Sequence, residues 1–195
     1  HGYHRYVGRF PSHLIRALLN YFEAGQGDTV LDPFCGSGTT LVEARMLGTQ
    51  AIGIEISPLS ALISSVKCKF PDEGLDSISI IKNLTAFYND KWGAFCSEHD
   101  IHSCSYEDII NRSGNLVPAF ANYEKWLTRE ALLGVSIVLE YITTQSGYLK
   151  DFLTVALSAK MRSIGNVDVD VVRAEYRKTP RENVDVLKLV SNQIQ

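Results

Sequence analysis

The sequence predicts an α/β fold: a partial doubly wound parallel sheet at the N-terminal end, followed by a mainly helical region. Two observations carry this expectation. Between residues 29 and 68 the chain reads strand, glycine turn, helix, strand, helix, the order that opens a sheet of parallel strands joined by crossover helices. After "PDEGL" (71–75) the apolar residues recur at helical spacing instead of in short strand-like runs. A third observation bounds the size, since 195 residues, 45% of them hydrophobic, can bury one core and a small satellite. The expected division is residues 1–70 for the sheet-bearing part and 71–195 for a helical insertion or extension.

Taken in order, "SHLIRALLNYF" (12–22) sets Leu14, Ile15, Leu18, Leu19 and Phe22 on one helical face, with Ser12 as the expected cap after Pro11. "TVLD" (29–32) is a short buried strand. "TTLVEARMLG" is a helix closed by Gly48, since glycine tolerates the left-handed conformation that ends helices. "QAIGIEI" (50–56) is the second strand, and "SPLSALISSVKCKF" the next helix, capped by Ser57 with Pro58 in its first position. Further helices are expected in "ISIIKNLTAFY", "REALLGVSIVLEYI", "YLKDFLTVALSAKM" and "NVDVLKLVSNQI". Residues 111–118 and 165–183 read as loops, the second with a short strand at "VDVVRAEY".

The turn "DPFCGSGTT" (32–40) sits between a strand end and a helix start, so backbone N–H groups and the positive end of the helix dipole converge on one small volume. Three ligands compete for such a turn. A triphosphate needs GxxxxGK[ST], and no lysine follows either glycine. A dinucleotide needs GxGxxG, and Leu41 stands at the third place. S-adenosyl-L-methionine needs an acid for its ammonium and N–H donors for its carboxylate, and Asp32 and the turn supply both. Glu55, roughly 20 positions past the glycines at the end of the second strand, suits ribose hydroxyls of any adenosyl ligand.

"HGYHRYVGRFPSHLI", "DPFCGSGTTLVEA" and "AIGIEISPLSA" together resemble the DNA methyltransferases that modify exocyclic amines of adenine (N6) or cytosine (N4). The resemblance covers roughly the first 70 residues. It implies a Rossmann-like, class I methyltransferase sheet with S-adenosyl-L-methionine as cofactor. It also implies a binding set: His4, Tyr6, Phe10 and Pro11 upstream; Asp32, Pro33, Phe34, Cys35, Gly36, Ser37, Gly38, Thr39 and Thr40 in the turn; and Glu55 with Ile56 beside the ribose. The catalytic element of that family is a [Asp/Asn/Ser]-Pro-Pro-[Tyr/Phe] tetrapeptide whose aromatic ring stacks on a flipped base. No two of the six prolines here are adjacent, so no catalytic residue is assigned. The expectation is the cofactor-binding part of a DNA methyltransferase of a bacterial or archaeal modification system, cut before its catalytic strand and inactive alone. DNA would be met through the complete protein, and a missing C-terminal part or a partner chain would complete the sheet. Two alternatives stay open: an RNA guanine-N2 methyltransferase, which uses a similar "DPFCGSGT" turn, and a non-catalytic cofactor-binding subunit that needs a partner chain.

The remaining features are bland. A net charge of −3 gives no global basic field for nucleic acid. The basic group Arg173, Arg177, Lys178 and Arg181 is diluted by Glu175 and Glu182 and reads as a solvated loop. Tyr123, Trp126, Tyr141 and Tyr148 fall among leucines and valines at core spacing. No apolar run reaches membrane-spanning length and no secretory pattern opens the chain, so a cytoplasmic protein without membrane contact is expected. Four cysteines without a CxxC pair, and the pairs His1/His4 and His99/His102 without a third ligand, indicate neither disulfides nor a metal. Cys35 reads as a small turn residue, because methylating an amine needs no covalent enzyme intermediate.

Overall fold

The computed structural model describes residues 3–4, 8, 10–69, 74–114, 116–117, 122–168, 175, 177, 179 and 181–195. The chain forms two compact units, His1–Gly74 and Leu75–Gln195.

In the first unit the order is α1 (Ser12–Tyr21), β1 (Thr29–Asp32), α2 (Thr39–Met46), β2 (Gln50–Gly53) and α3 (Pro58–Cys68). The two strands pair in parallel, Thr29 with Gln50 through Asp32 with Gly53. Among the described residues this pair is the whole sheet; the mixed α/β character expected from the sequence is present, at this smaller extent. Helix α2 is the crossover. Its residues Leu41, Glu43 and Ala44 are buried. A Cβ at Gly53 would fall 2.6 Å from Leu41 Cδ1 and 2.8 Å from Cys35 Sγ, so the Leu41 and Cys35 side chains fill the space beside Gly53. Leu31 and its register partner Ile52 stand on the opposite face of the strands, each more than half exposed.

The caps follow the sequence in α2 and α3 and depart from it in α1. Gly48 closes α2 in the left-handed region at φ +79°. Ser57 Oγ accepts from Ser60 N at 3.4 Å, with Pro58 in the first turn of α3. Ser12, however, is the first helical residue and not the cap. Pro11 occupies the cap position, its carbonyl accepting from Leu14 N at 3.1 Å, because its fixed φ of −59° already suits helix entry.

The second unit is helical: α4 (Ser77–Glu98), α5 (Tyr106–Arg112), α6 (Tyr123–Trp126), α7 (Arg129–Thr143), α8 (Gly147–Ile164) and α9 (Val186–Ile194). Its centre is α7, buried without interruption from Ala131 to Val138 and packed against α4, α5, α8 and α9. An all-round apolar helix belongs in a core. Gly134 makes this packing possible: a Cβ there would lie 2.7 Å from Tyr88 Oη on α4 and 2.8 Å from Val186 Cγ2 on α9. Helix α5 takes Asn111 and Arg112 out of the loop expected at 111–118. It is held by a capping box in which Ser105 and Asp108 bond each other's backbone N–H groups. Of the expected strand in "VDVVRAEY", residues 169–174 and 176 lie outside the described residues; beside it, Asp168 N donates to Glu175 O and Arg177 N to Asn166 O, both at 3.0 Å. Arg173 and Lys178 of the basic group also lie outside the described residues. Among the four aromatics, Tyr141 is buried, and Tyr123, Trp126 and Tyr148 are half-buried.

Candidate functional site

In the first unit the end of β1, the turn and the segment after β2 enclose a cleft of about 470 Å³, within the range of small-ligand sites. Backbone bonds beyond the strand ends build it. Ile54 N donates to Asp32 O at 2.9 Å, and Cys35 N donates to Ile54 O at 3.0 Å. These two bonds extend the parallel ladder past Gly53 and bring Asp32 and Glu55 to one opening. Each acid is oriented by a local turn: Asp32 Oδ1 accepts from Phe34 N at 3.0 Å, and Glu55 Oε1 from Ser57 N at 2.8 Å. One oxygen of each carboxylate thus remains for a ligand donor.

Ten residues singled out in the sequence line this cleft. Phe10 forms part of one wall; Asp32, Pro33, Phe34, Cys35, Gly36, Ser37, Thr39 and Thr40 form the turn side; Glu55 faces them from beyond β2. Phe34 is 89% exposed, an aromatic ring set at the mouth of the cleft. Ser37 is buried, and its hydroxyl has no hydrogen-bond partner, so it is a polar atom left for an incoming group. Thr39 and Thr40 begin α2, where backbone N–H groups have no intrahelical acceptor.

Gly38 works from behind the cleft. It caps α2 at φ +83°, where a side chain is strained, and a Cβ would fall 2.7 Å from Ser64 Cβ on α3. Pro11 and Ile56 are exposed and lie outside the cleft lining, as does half-buried His4. Tyr6 lies outside the described residues. Gly8, Ile15 and Leu31 line the cleft and were missed; the apolar stripe of α1 was legible, but not that Ile15, among its leucines, would look towards the turn.

Burial raises the Cys35 thiol above its ordinary value, and the Asp32 and Glu55 charges push the same way against a Ser64 hydrogen bond. It stays protonated at neutral pH, which suits a filler of the turn and not a nucleophile. Among the described residues no group of three or more His, Cys, Asp or Glu side chains could hold a metal ion. No described helix is long and apolar enough to cross a membrane.

Residues 2–63 match the family described as DNA methylase. Over 60 residues, 31% of this chain and 12% of the relative, the sequence is 50% identical to the type II methyltransferase M.BsoBI of Geobacillus stearothermophilus. Over 75 residues, 38% of this chain and 21% of the relative, it is 49% identical to a tRNA (guanine(10)-N2)-dimethyltransferase of Methanocaldococcus jannaschii. A similarity to the type II methyltransferase M.MvaI of Kocuria varians runs much further, 25% identical over 189 residues, 93% of this chain and 38% of that protein. The chain thus spans well under half the length of each of these relatives. No solved structure matches. The matched stretch contains the whole β1–turn–α2–β2 cleft, and it is over residues 2–63 that the chain is similar to DNA methylases.

Proposed function

We propose that the cleft binds S-adenosyl-L-methionine and that the chain is the cofactor-binding part of a DNA methyltransferase acting on an exocyclic amine of adenine or cytosine. The observation that carries this reading is the convergence of Asp32, the glycine turn and Glu55 on one cleft of nucleoside size. Asp32 receives the donor's ammonium. The Ser37 hydroxyl and the first-turn N–H groups of α2 receive its carboxylate, favoured by the helix dipole. Glu55 accepts from the ribose hydroxyls, and Phe34 and Phe10 shield the ligand from water. When bound, the donor supplies an electrophilic methyl group on sulfur, open to direct displacement by an amine. The residues of this chain hold and orient; groups that position the target base are not assigned within it. The long similarity to M.MvaI, which runs through both units, supports the helical region as part of the same methyltransferase.

Isothermal titration with S-adenosyl-L-methionine tests the reading. Asp32→Ala and Glu55→Ala are each expected to weaken binding by roughly ten-fold or more, the size of a hydrogen bond to a charged group. Unchanged affinity in both variants would sink it. A second reading, methylation of a guanine N2 in RNA, is favoured by the tRNA enzyme among the relatives. Methyl incorporation into DNA and into tRNA, compared with the full-length protein, separates the two.

A further inference from the structure

Helix α3 stands directly behind the turn. Ser60, Ser64 and Lys67 recur along it at spacings of four and three, which puts them on one face. Ser64 makes the close contact with Gly38. One turn further on, Lys67 Nζ donates to the carbonyl oxygen of Ser37 at 3.1 Å. That bond turns the Ser37 carbonyl towards α3 and fixes the Ser37–Gly38 peptide plane. It also sets the lysine's positive charge against the carbonyl of the residue whose buried hydroxyl has no hydrogen-bond partner.

We propose that Lys67 is a positioning residue of the donor site, one that decides which end of the amino-acid tail meets the turn. The inference rests on the reading of the cleft as the S-adenosyl-L-methionine site and deepens it. The tail carries an ammonium and a carboxylate on the same carbon, so either could face the turn. Lys67 and the dipole of α2 add to a positive potential at Ser37 and Thr39, while Asp32 at the end of β1 makes the other side negative. The carboxylate therefore goes to the turn and the ammonium to Asp32. A lysine that served packing alone would give no such preference.

The test uses the full chain and two ligands: S-adenosyl-L-methionine, and 5′-methylthioadenosine, which keeps the nucleoside but lacks the tail. Lys67→Met is expected to weaken the first by roughly ten-fold, the scale of one charge-assisted hydrogen bond, and to leave the second within about two-fold. Lys67→Arg, which keeps a charged donor, is expected to restore most of the loss. Equal weakening of both ligands by Lys67→Met would show a collapsed turn and overturn the proposal, as would full retention of both affinities. A wild-type chain that binds neither ligand would overturn the donor-site reading itself, a result separable from the others because it needs no variant.

Discussion

Arg16 on α1 donates from Nε to Glu43 Oε2 on α2 at 2.6 Å, and the Glu43 side chain is only 7% exposed. The pair ties the helix that carries Ile15, a wall of the cleft, to the helix that the turn leads into. Removing one partner leaves a charge facing a poorly solvated neighbour. Arg16→Met is expected to lower the stability of the first unit by about 1–3 kcal/mol in urea denaturation. The double variant Arg16→Met/Glu43→Leu is expected to lose less than the sum of the two single changes, because it removes both charges together. Strict additivity would show that the pair contributes nothing through its own contact.

Gly38 is expected to be the least replaceable position of the turn. Alanine there meets the left-handed backbone, disfavoured by about 1–2 kcal/mol, and overlaps Ser64 Cβ at 2.7 Å. Gly38→Ala should therefore destabilise the first unit by about 2–4 kcal/mol and abolish measurable binding of the donor. Ser64→Gly on that background removes the Cβ it strikes and should recover part of the stability, which thermal denaturation of the single and double variants would read.

The helical unit is expected to weaken in acid. Asp76, cap of α4, and Asp108, in the box of α5, are both held below the ordinary carboxylate value of 3.8 by hydrogen bonds, to Ser79 and to Ser105 respectively. A carboxyl depressed on folding contributes stability that is fully present above its unfolded value and is lost as pH falls through the folded one. The loss thus begins near pH 4 and deepens below it. Asp76→Asn and Asp108→Asn, which keep an acceptor but do not titrate, should flatten the stability-versus-pH curve in that window. Denaturation midpoints between pH 2 and 6 would check it, and an unchanged slope in the double variant would refute the assignment.

The part of the chain that lines the cleft was the part most legible in the sequence. Its signals are local: a strand ending in Asp32, glycines at 36 and 38, Ser57 followed by Pro58, each fixing backbone within a few residues. Ladder bonds beyond the strands then did the rest, tying Asp32 to Ile54 and so bringing Glu55 to the same opening across more than twenty residues. What stayed hidden depends on tertiary approach. Lys67 looks like any surface lysine until the carbonyl of Ser37 is seen beside it. Its neighbours Ser60 and Ser64, buried on an otherwise ordinary amphipathic helix, were the one available hint. Helix α5 escaped because seven residues are too few to display a period, and its box is closed by Asp108 where glutamate is the commoner partner. The Ser12 cap failed by a single residue, since a proline and a serine in succession both suit a helix entrance.

The seclusion of Cys35 has a practical corollary for spectroscopy. Its sulfur is walled in at the turn and Cys104 is buried too, whereas Cys96 near the end of α4 is open to solvent. A maleimide dye applied briefly at neutral pH will therefore reach Cys96 ahead of half-buried Cys68, placing a reporter on the helical unit, and replacing Cys68 leaves Cys35 as the thiol of the first unit. Slow later uptake at position 35 would then clock the opening of the turn itself, and a bound ligand should stretch that clock.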